Sequence, residues 1–347
     1  MTDSTDDPTD DPTDDPTEEI AEELPDAGVP EHGHEPVLVD ECLAALLPEP
    51  RVHVGPRVLV DCTTGRGGHA SLIAARLGAS DTLLCLDADQ ANLEYARERL
   101  QTQPVSCGLY FVNENFTQLG RVIKALELES PSGIVADLGL STNQILTGKT
   151  GLSFHSDDPL DMRIDARTSL SAAQIVNRWG EKEIADLIYQ LADERHSRRI
   201  ARKIIEARSV TPIQTARRLA DVVRSAVPRV RRKPGRSGSK WGRAVEPIDP
   251  ATRTFLALRM KVNRETDNLR DLLNQAPQFL SPGGVLAVIS FQSTEDRIVK
   301  HTFLELAKNG ALEIVTKKPV GPTDAEVQRN PRSRSAKLRV AKKPAPA

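Results

Sequence analysis

The stretch Val58-Leu59-Val60-Asp61-Cys62-Thr63-Thr64-Gly65-Arg66-Gly67-Gly68-His69 decides the fold. A short apolar run ends in a polar, glycine-rich turn, and apolar residues then recur at helical spacing at Ala70, Leu72, Ile73, Ala74 and Leu77. That is strand, loop and helix start, the first half of a βαβ unit. Glycine allows positive φ and lets a ligand approach without meeting a Cβ. The helix start presents free N–H groups and the positive end of its dipole, so the loop suits an anionic or hydrogen-bond-accepting part of a nucleotide-like cofactor. A second apolar run, Leu83-Leu84-Cys85-Leu86, ends on Asp87, an acid placed to accept hydrogen bonds from ribose hydroxyls. Gly65, Gly67 and Ala70 satisfy the G-x-G-x-x-G/A spacing of dinucleotide folds. At this point NAD and S-adenosylmethionine (SAM) stand as alternatives, beside a tight turn that holds no ligand.

Outward from this stretch the pattern continues. Upstream, Pro36 delays a helix whose apolar positions are Val39, Leu43, Leu46 and Leu47. Strands over about 57–61, 82–87, 109–112 and 133–138 alternate with helices over about 68–78, 90–100 and 117–128, and Asp137 ends the fourth strand. Such alternation implies a parallel, doubly wound sheet. It then stops: Gly139 to Ser156 reads as polar and irregular, and helical segments follow at about 171–179, 181–192, 195–208 and 213–226. One long helix is expected over Ala251–Gln275, then a buried strand at Val285–Phe291 and a helix from near Thr294. Two strands, Leu312–Thr316 and Ala336–Val340, close the chain with no helix expected between them, which favours an antiparallel pair at one sheet edge. A dinucleotide fold would continue with βαβ units, so the pair moves the cofactor reading from NAD to SAM. The expected class is α/β, a Rossmann-like SAM-dependent methyltransferase sheet with a terminal β-hairpin and an inserted helical domain. Residues 1–30 are expected to be a disordered acidic tail, 31–140 and 249–347 the two parts of the sheet domain, and 141–248 a helical, basic, substrate-binding insert.

Of the 347 residues 39% are hydrophobic, enough for sizeable cores, and no apolar run approaches a membrane span. Cys42, Cys62, Cys85 and Cys107 stand far apart with no Cys-x-x-Cys pair, and no secretory signal opens the chain. This argues against a zinc ribbon or a disulfide framework and for a reducing cytoplasm. The net charge of −3 misleads: residues 1–26 hold eight Asp, four Glu and no Lys or Arg, which leaves +9 on the other 321 residues. Between Arg195 and Arg243, sixteen Lys or Arg meet only two acids, Glu206 and Asp221. So many like charges repel one another beyond what solubility needs, and phosphate binding with counterion release is the natural compensation. The densest part carries the expected RNA contacts Arg229, Arg231, Arg232, Lys233, Arg236 and Lys240, with Trp241 able to stack on a base.

Seven stretches share a further property: His34-Glu35-Pro36-Val37-Leu38; Gly65-Arg66-Gly67-Gly68-His69; Asp137-Leu138-Gly139; Gly151-Leu152-Ser153-Phe154 with Pro159-Leu160-Asp161-Met162-Arg163; Pro250-Ala251-Thr252-Arg253-Thr254-Phe255; Ser290-Phe291 with Glu295-Asp296-Arg297; and Asn330-Pro331-Arg332-Ser333-Arg334-Ser335. In this order, over about residues 34–347, they resemble the ribosomal RNA small subunit methyltransferase H family, also called MraW. The resemblance implies methyl transfer from SAM to the exocyclic N4 amine of a cytidine in the decoding centre of 16S rRNA. It implies cofactor contacts from Gly67, Gly68 and His69, from Asp87 on the ribose, from Phe116 against the adenine, and from Asp137 and Gln144. Its implied partners are small-subunit rRNA, within an assembled or nearly assembled ribosomal subunit, and a second copy of the chain in a homodimer. No membrane and no metal are implied.

The chain departs from the family pattern at Ser141-Thr142-Asn143-Gln144, where Ser-Ser-Pro-Gln is usual, at Thr64, and at Gln292 and Asp249, where histidines are usual. A cytosine N4 amine is a weak nucleophile, because its lone pair is delocalised into the ring. A site for it must hold N4 in line with the methyl and the sulfonium, and must accept a proton. No Asn/Asp-Pro-Pro-aromatic motif follows the fourth strand; Asp137, Ser141 and Asn143 occupy its place and are the catalytic candidates. Asp161 and Arg163 either shape the substrate side or pair with each other. Given Gln292 and Asp249, a non-catalytic ribosome-assembly factor is the rival class, and SAM binding separates the two.

Overall fold

The computed structural model describes residues 35–48, 55–146, 150–228 and 249–345. Its first half runs α1 (Val39–Leu46), β1 (Val58–Asp61), α2 (Gly68–Ala74), β2 (Thr82–Asp87), α3 (Gln90–Gln101), β3 (Gly108–Asn113), α4 (Leu119–Ala125) and β4 (Gly133–Asp137). A helical stretch follows: α5 (Thr142–Leu146), α6 (Ala172–Arg178), α7 (Glu181–Ala192), α8 (Ser197–Val210), α9 (Ala216–Ala226), α10 (Ala251–Val262) and α11 (Glu265–Phe279). The chain then returns to the sheet through β5 (Val285–Ser290), α12 (Ser293–Lys308), β6 (Glu313–Ile314), α13 (Asp324–Arg329) and β7 (Lys337–Lys342).

Seven strands form one sheet in the order β3-β2-β1-β4-β5-β7-β6. The first five in that order are parallel, and β7 runs antiparallel to both β5 and β6. Side chains alternate between the two faces: Leu59, Leu83 and Val135 pack with α1, α2 and α3, while Val60, Leu84 and Ile134 pack with α4, α11 and α12. Burial on both faces is why these strands read as unbroken apolar runs. The chain winds outward from β1 to β3, then crosses back to place β4 on the other side of β1. Connections leave β1 and β4 in opposite directions, and a crevice opens at their carboxyl ends. All four cysteines are buried and free. No helix among the described residues is long and apolar enough to cross a membrane.

Three local expectations change. The helix expected over Ala251–Gln275 is two helices, broken at Asn263 and Arg264, where Arg264 takes a left-handed φ of 51°. The Asn263 side chain explains the break, since it accepts from the Ile164 N–H at 2.9 Å and donates to the Met162 carbonyl at 2.8 Å. The two helices serve different cores. Phe255 and Leu258 of α10 pack with Ile175, Ile188, Ile204 and Leu219 of the helical insert, while Leu269 and Leu272 of α11 pack under the sheet. The chain thus passes from one core to the other at 263–264, not at 248/249. Within the polar stretch after β4, α5 forms. Between β6 and β7 stand α13 and a short 3-10 turn, Pro331–Ser335, although the strands pair antiparallel at the edge as expected. The acidic tail and Arg229, Arg231, Arg232, Lys233, Arg236 and Lys240 lie outside the described residues.

Asn263→Ala leaves the Ile164 N–H and the Met162 carbonyl without their partner. We expect a loss of about 1–3 kcal/mol in urea unfolding and faster hydrogen exchange at the Ile164 amide. Unchanged exchange there would show that the junction is held by other contacts.

Candidate active site

The crevice is a cavity of about 830 Å³, lined by residues of both the sheet domain and the helical insert. Its floor is the loop after β1. Gly67 has a φ of 79°, and a Cβ there would stand 2.9 Å from Leu100 Cδ1 and 3.3 Å from Ala96 Cβ. Only glycine lets the loop lie this close to α3. Gly67 itself does not line the cavity; Gly65, Arg66, Gly68 and His69 do.

Asp87 braces this loop. Its Oδ2 accepts from the Gly65 N–H at 2.6 Å and its Oδ1 from the Asp89 N–H at 2.8 Å. Burial pushes the Asp87 carboxyl up to about 6 against those two donors. A carboxylate oxygen has capacity for a further hydrogen bond, so the brace leaves Asp87 able to meet a ligand.

Two more acids end β1 and β4. Thr63 joins them: its N–H donates to Asp61 Oδ1 at 3.1 Å, and its Oγ1 accepts from the Asp137 N–H at 2.6 Å. Yet Asp61 Oδ2 and Asp137 Oδ1 are buried and have no hydrogen-bond partner among the described residues. Burial pushes both carboxyls up to about 7. His69 Nδ1 lies 3.5 Å from Asp137 Oδ2, and its Nε2 stands 2.9 Å from the Val37 carbonyl. A carbonyl can only accept, which puts a proton on Nε2. Burial pulls the His69 pKa down while that of Asp137 rises. Both shifts disfavour the charged forms, so burial works against an ion pair at this contact.

The loop after β4 completes one wall. Ser141 and Gln144 form a reciprocal cap: Gln144 Oε1 accepts from the Ser141 N–H at 2.9 Å, and Ser141 Oγ accepts from the Gln144 N–H at 3.4 Å. The Ser-x-x-Gln spacing is a capping-box signature that foretells α5. Gln144 Nε2 also donates to Asp89 Oδ2 at 2.9 Å, and Ser141 Oγ accepts from Asn92 Nδ2 at 3.3 Å, so this loop is tied to α3. Ser141, Gln144 and Ile145 line the cavity and Asn143 does not. Helical spacing puts 141, 144 and 145 on one face and 143 on another. Phe116 lines the cavity, and its turn is held by Gln275 Nε2 donating to the Thr117 carbonyl at 3.1 Å.

Across from the acids stand groups that sequence reasoning passed over. Arg259 and Glu265 pair bidentately at 2.8 and 2.9 Å across the α10–α11 break. Glu295 is buried, its Oε2 accepts from the Phe291 N–H at 3.2 Å, and burial, with Glu265 nearby, pushes it up to about 7. Gln292 lines the cavity as well. Asp249 does not: it accepts from Arg224 Nε and Nη2 at 2.8 and 2.6 Å and from the Ala251 N–H at 2.7 Å, anchoring the start of α10. Asp161 and Arg163 pair with each other at 2.6 and 2.8 Å, and neither lines the cavity.

The profile of the MraW methylase family matches residues 31–344. The chain belongs to the MraW methylase family. It is 42% identical over 312 residues to the ribosomal RNA small subunit methyltransferase H of Acidobacterium capsulatum, covering 89% of this chain and 98% of that one. The protein of the same name from Koribacter versatilis is 41% identical over 321 residues, covering 91% and 96%. That of Synechococcus elongatus is 41% identical over 324 residues, covering 93% and 99%. The MraW match spans the glycine loop, the helical insert and the terminal strands alike.

The raised carboxyls set a pH dependence. A group whose folded pKa exceeds its unfolded value contributes stability at low pH that is lost as pH rises through the folded pKa. For Asp61 and Asp137 the loss falls between about pH 4 and about pH 7. Chemical unfolding of the ligand-free protein should show falling stability across that window, and Asp61→Asn should flatten the fall. A ligand-free protein that gains stability from pH 5 to pH 7 would mean that the acids are ionised as built.

Proposed function

We propose that this MraW-family chain transfers a methyl group from SAM to the N4 amine of a cytidine in the decoding centre of 16S rRNA. The observation that carries the reading is the pair of buried carboxylate oxygens, Asp61 Oδ2 and Asp137 Oδ1, left without a donor among the described residues at the β1/β4 switch. Buried acids without donors suit a cation, and SAM carries a sulfonium and an ammonium. The relatives' shared name supports rRNA as the acceptor, and the helical insert lining the same cavity supports a bulky substrate.

When bound, SAM supplies an electrophilic methyl group on sulfur. The chain supplies the rest. The 65–69 loop, Asp87, Phe116 and Gln144 hold the cofactor, and Asp61 and Asp137 balance its charge. Asp137, at a pKa of about 7, is matched to neutral pH as the acceptor of the amine proton. Ser141 and Gln292 border the space for the base, which must be unpaired or flipped to reach it. Asp249 lies in an ion pair away from the cavity, so its replacement of the usual histidine leaves the site untouched. Gln292 cannot titrate near neutral pH and so orients rather than accepts a proton.

Mass spectrometry of nucleosides from small-subunit rRNA tests the reading. Cells lacking this protein should lose N4-methylated cytidine and regain it on complementation; an unchanged nucleoside profile would refute it. Gln292→His should change turnover less than tenfold, under about 1.4 kcal/mol. A restored activity in the variant, from a wild type that binds SAM but transfers nothing, would instead make a histidine base a requirement.

A further inference from the structure

The stretch Asn330-Pro331-Arg332-Ser333-Arg334-Ser335 has so far been given no role in the site. It forms the 3-10 turn between α13 and β7. Because Lys337 of β7 pairs antiparallel with Ser290 of β5, the turn stands at the carboxyl edge of the sheet, on the β5 side of Asp137. Pro331, Arg332, Arg334 and Ser335 line the cavity. The turn is firmly built: Ser333 is fully buried and its Oγ donates to the Asn330 carbonyl at 2.8 Å, while Asn330 Nδ2 donates to the Glu35 carbonyl at 3.3 Å.

Arg332 is the exception in this frame. Arg259, partly buried, and Arg339, buried, each meet a carboxylate bidentately, Glu265 and Asp296 respectively. Arg332 is half-buried, yet makes no hydrogen bond, ion pair or ring contact among the described residues. Burial pulls its pKa below the ordinary arginine range. Removing a guanidinium from water without a counter-charge is unfavourable, so the position suits an anion arriving from outside. β1, β2 and β4 end on acids at one side of the cavity, whereas Arg332 lines it from the turn before β7, on the β5 side, where Glu265 is taken up by Arg259 and burial pushes Glu295 up to about 7. A cationic cofactor fits the first side and a phosphate the second.

We propose that Arg332 grips a backbone phosphate of the RNA strand beside the target nucleotide, making the 330–335 turn a phosphate clamp on the substrate side of the cavity. A planar guanidinium matches phosphate geometry with two parallel N–H donors. The clamp positions the strand and reads no base. It rests on the rRNA reading proposed above.

The test is anisotropy with the full-length protein and a short fluorescein-labelled single-stranded RNA containing one cytidine, titrated across a salt series. Arg332→Ala should weaken binding about tenfold and flatten the slope of log affinity against log salt by about 0.7, the share of one phosphate contact on a single strand. Arg332→Lys should keep the slope and lose part of the affinity. SAM affinity by calorimetry should stay unchanged in both. An unchanged slope in Arg332→Ala overturns the proposal, and so does an equal loss of SAM affinity, which would assign the guanidinium to the cofactor. Should Arg332→Ala fail to fold, Arg332→Gln carries the same expectation. Wild-type methyl transfer to small-subunit rRNA is measured alongside. Its absence removes the rRNA reading and this inference with it, whereas transfer with an unchanged slope in the variant overturns the clamp alone.

Discussion

Two neighbouring strands, β1 and β4, end on acids that the described residues do not fully satisfy. Asp61 and Asp137 each keep one oxygen buried and without a donor. Buried polar atoms are paired in nearly all proteins, because an unpaired one costs on the order of 1–3 kcal/mol. Keeping both acids neutral at moderate pH lowers that cost, and this is the direction in which burial drives them. Much of the surrounding structure serves to hold this arrangement. Thr63 bridges the two acids, His69 backs Asp137, and Gly67 lets the loop close against α3.

A second constraint is that one cavity draws on two hydrophobic cores. Asn263 joins them by bonding the backbone at Met162 and Ile164 across about a hundred residues of chain, and Arg259 pairs with Glu265 over the same break. The insert is therefore fixed to the sheet beside the cavity. Residues of the helical insert and of the sheet therefore line the same cavity.

The parallel strands, their order of alternation with helices and the glycine loop were legible because burial on both faces writes continuous apolar runs into a sequence. The α10–α11 break was not, because helical periodicity runs straight through Asn263 and only tertiary hydrogen bonds stop the helix. The capping pair Ser141 and Gln144 was legible in principle, yet its short helix has too few apolar positions to announce itself. Asp87 and Asp137 could be named from their places at strand ends, and His69 only through the family resemblance. Asp61 could have been, since it ends the deciding strand, but a strand-end acid gives no sign of whether it is paired. Glu295 and Arg332 could not, because their significance comes from burial and from which partners they have. Asp249 shows the reverse: it stood out in the sequence, and its place in an ion pair with Arg224 takes it out of the site.

The central claim is that the unpaired acids at the β1/β4 switch await a cationic cofactor. Calorimetric titration of SAM into the protein, from about pH 6 to pH 8 in two buffers of different ionisation enthalpy, tests it most directly. Binding a cation to carboxyls with pKa values of about 7 must displace their protons. The account predicts net proton release on binding and an affinity that rises with pH through that value. An affinity that falls with pH, binding without proton release, or no heat of binding would contradict it.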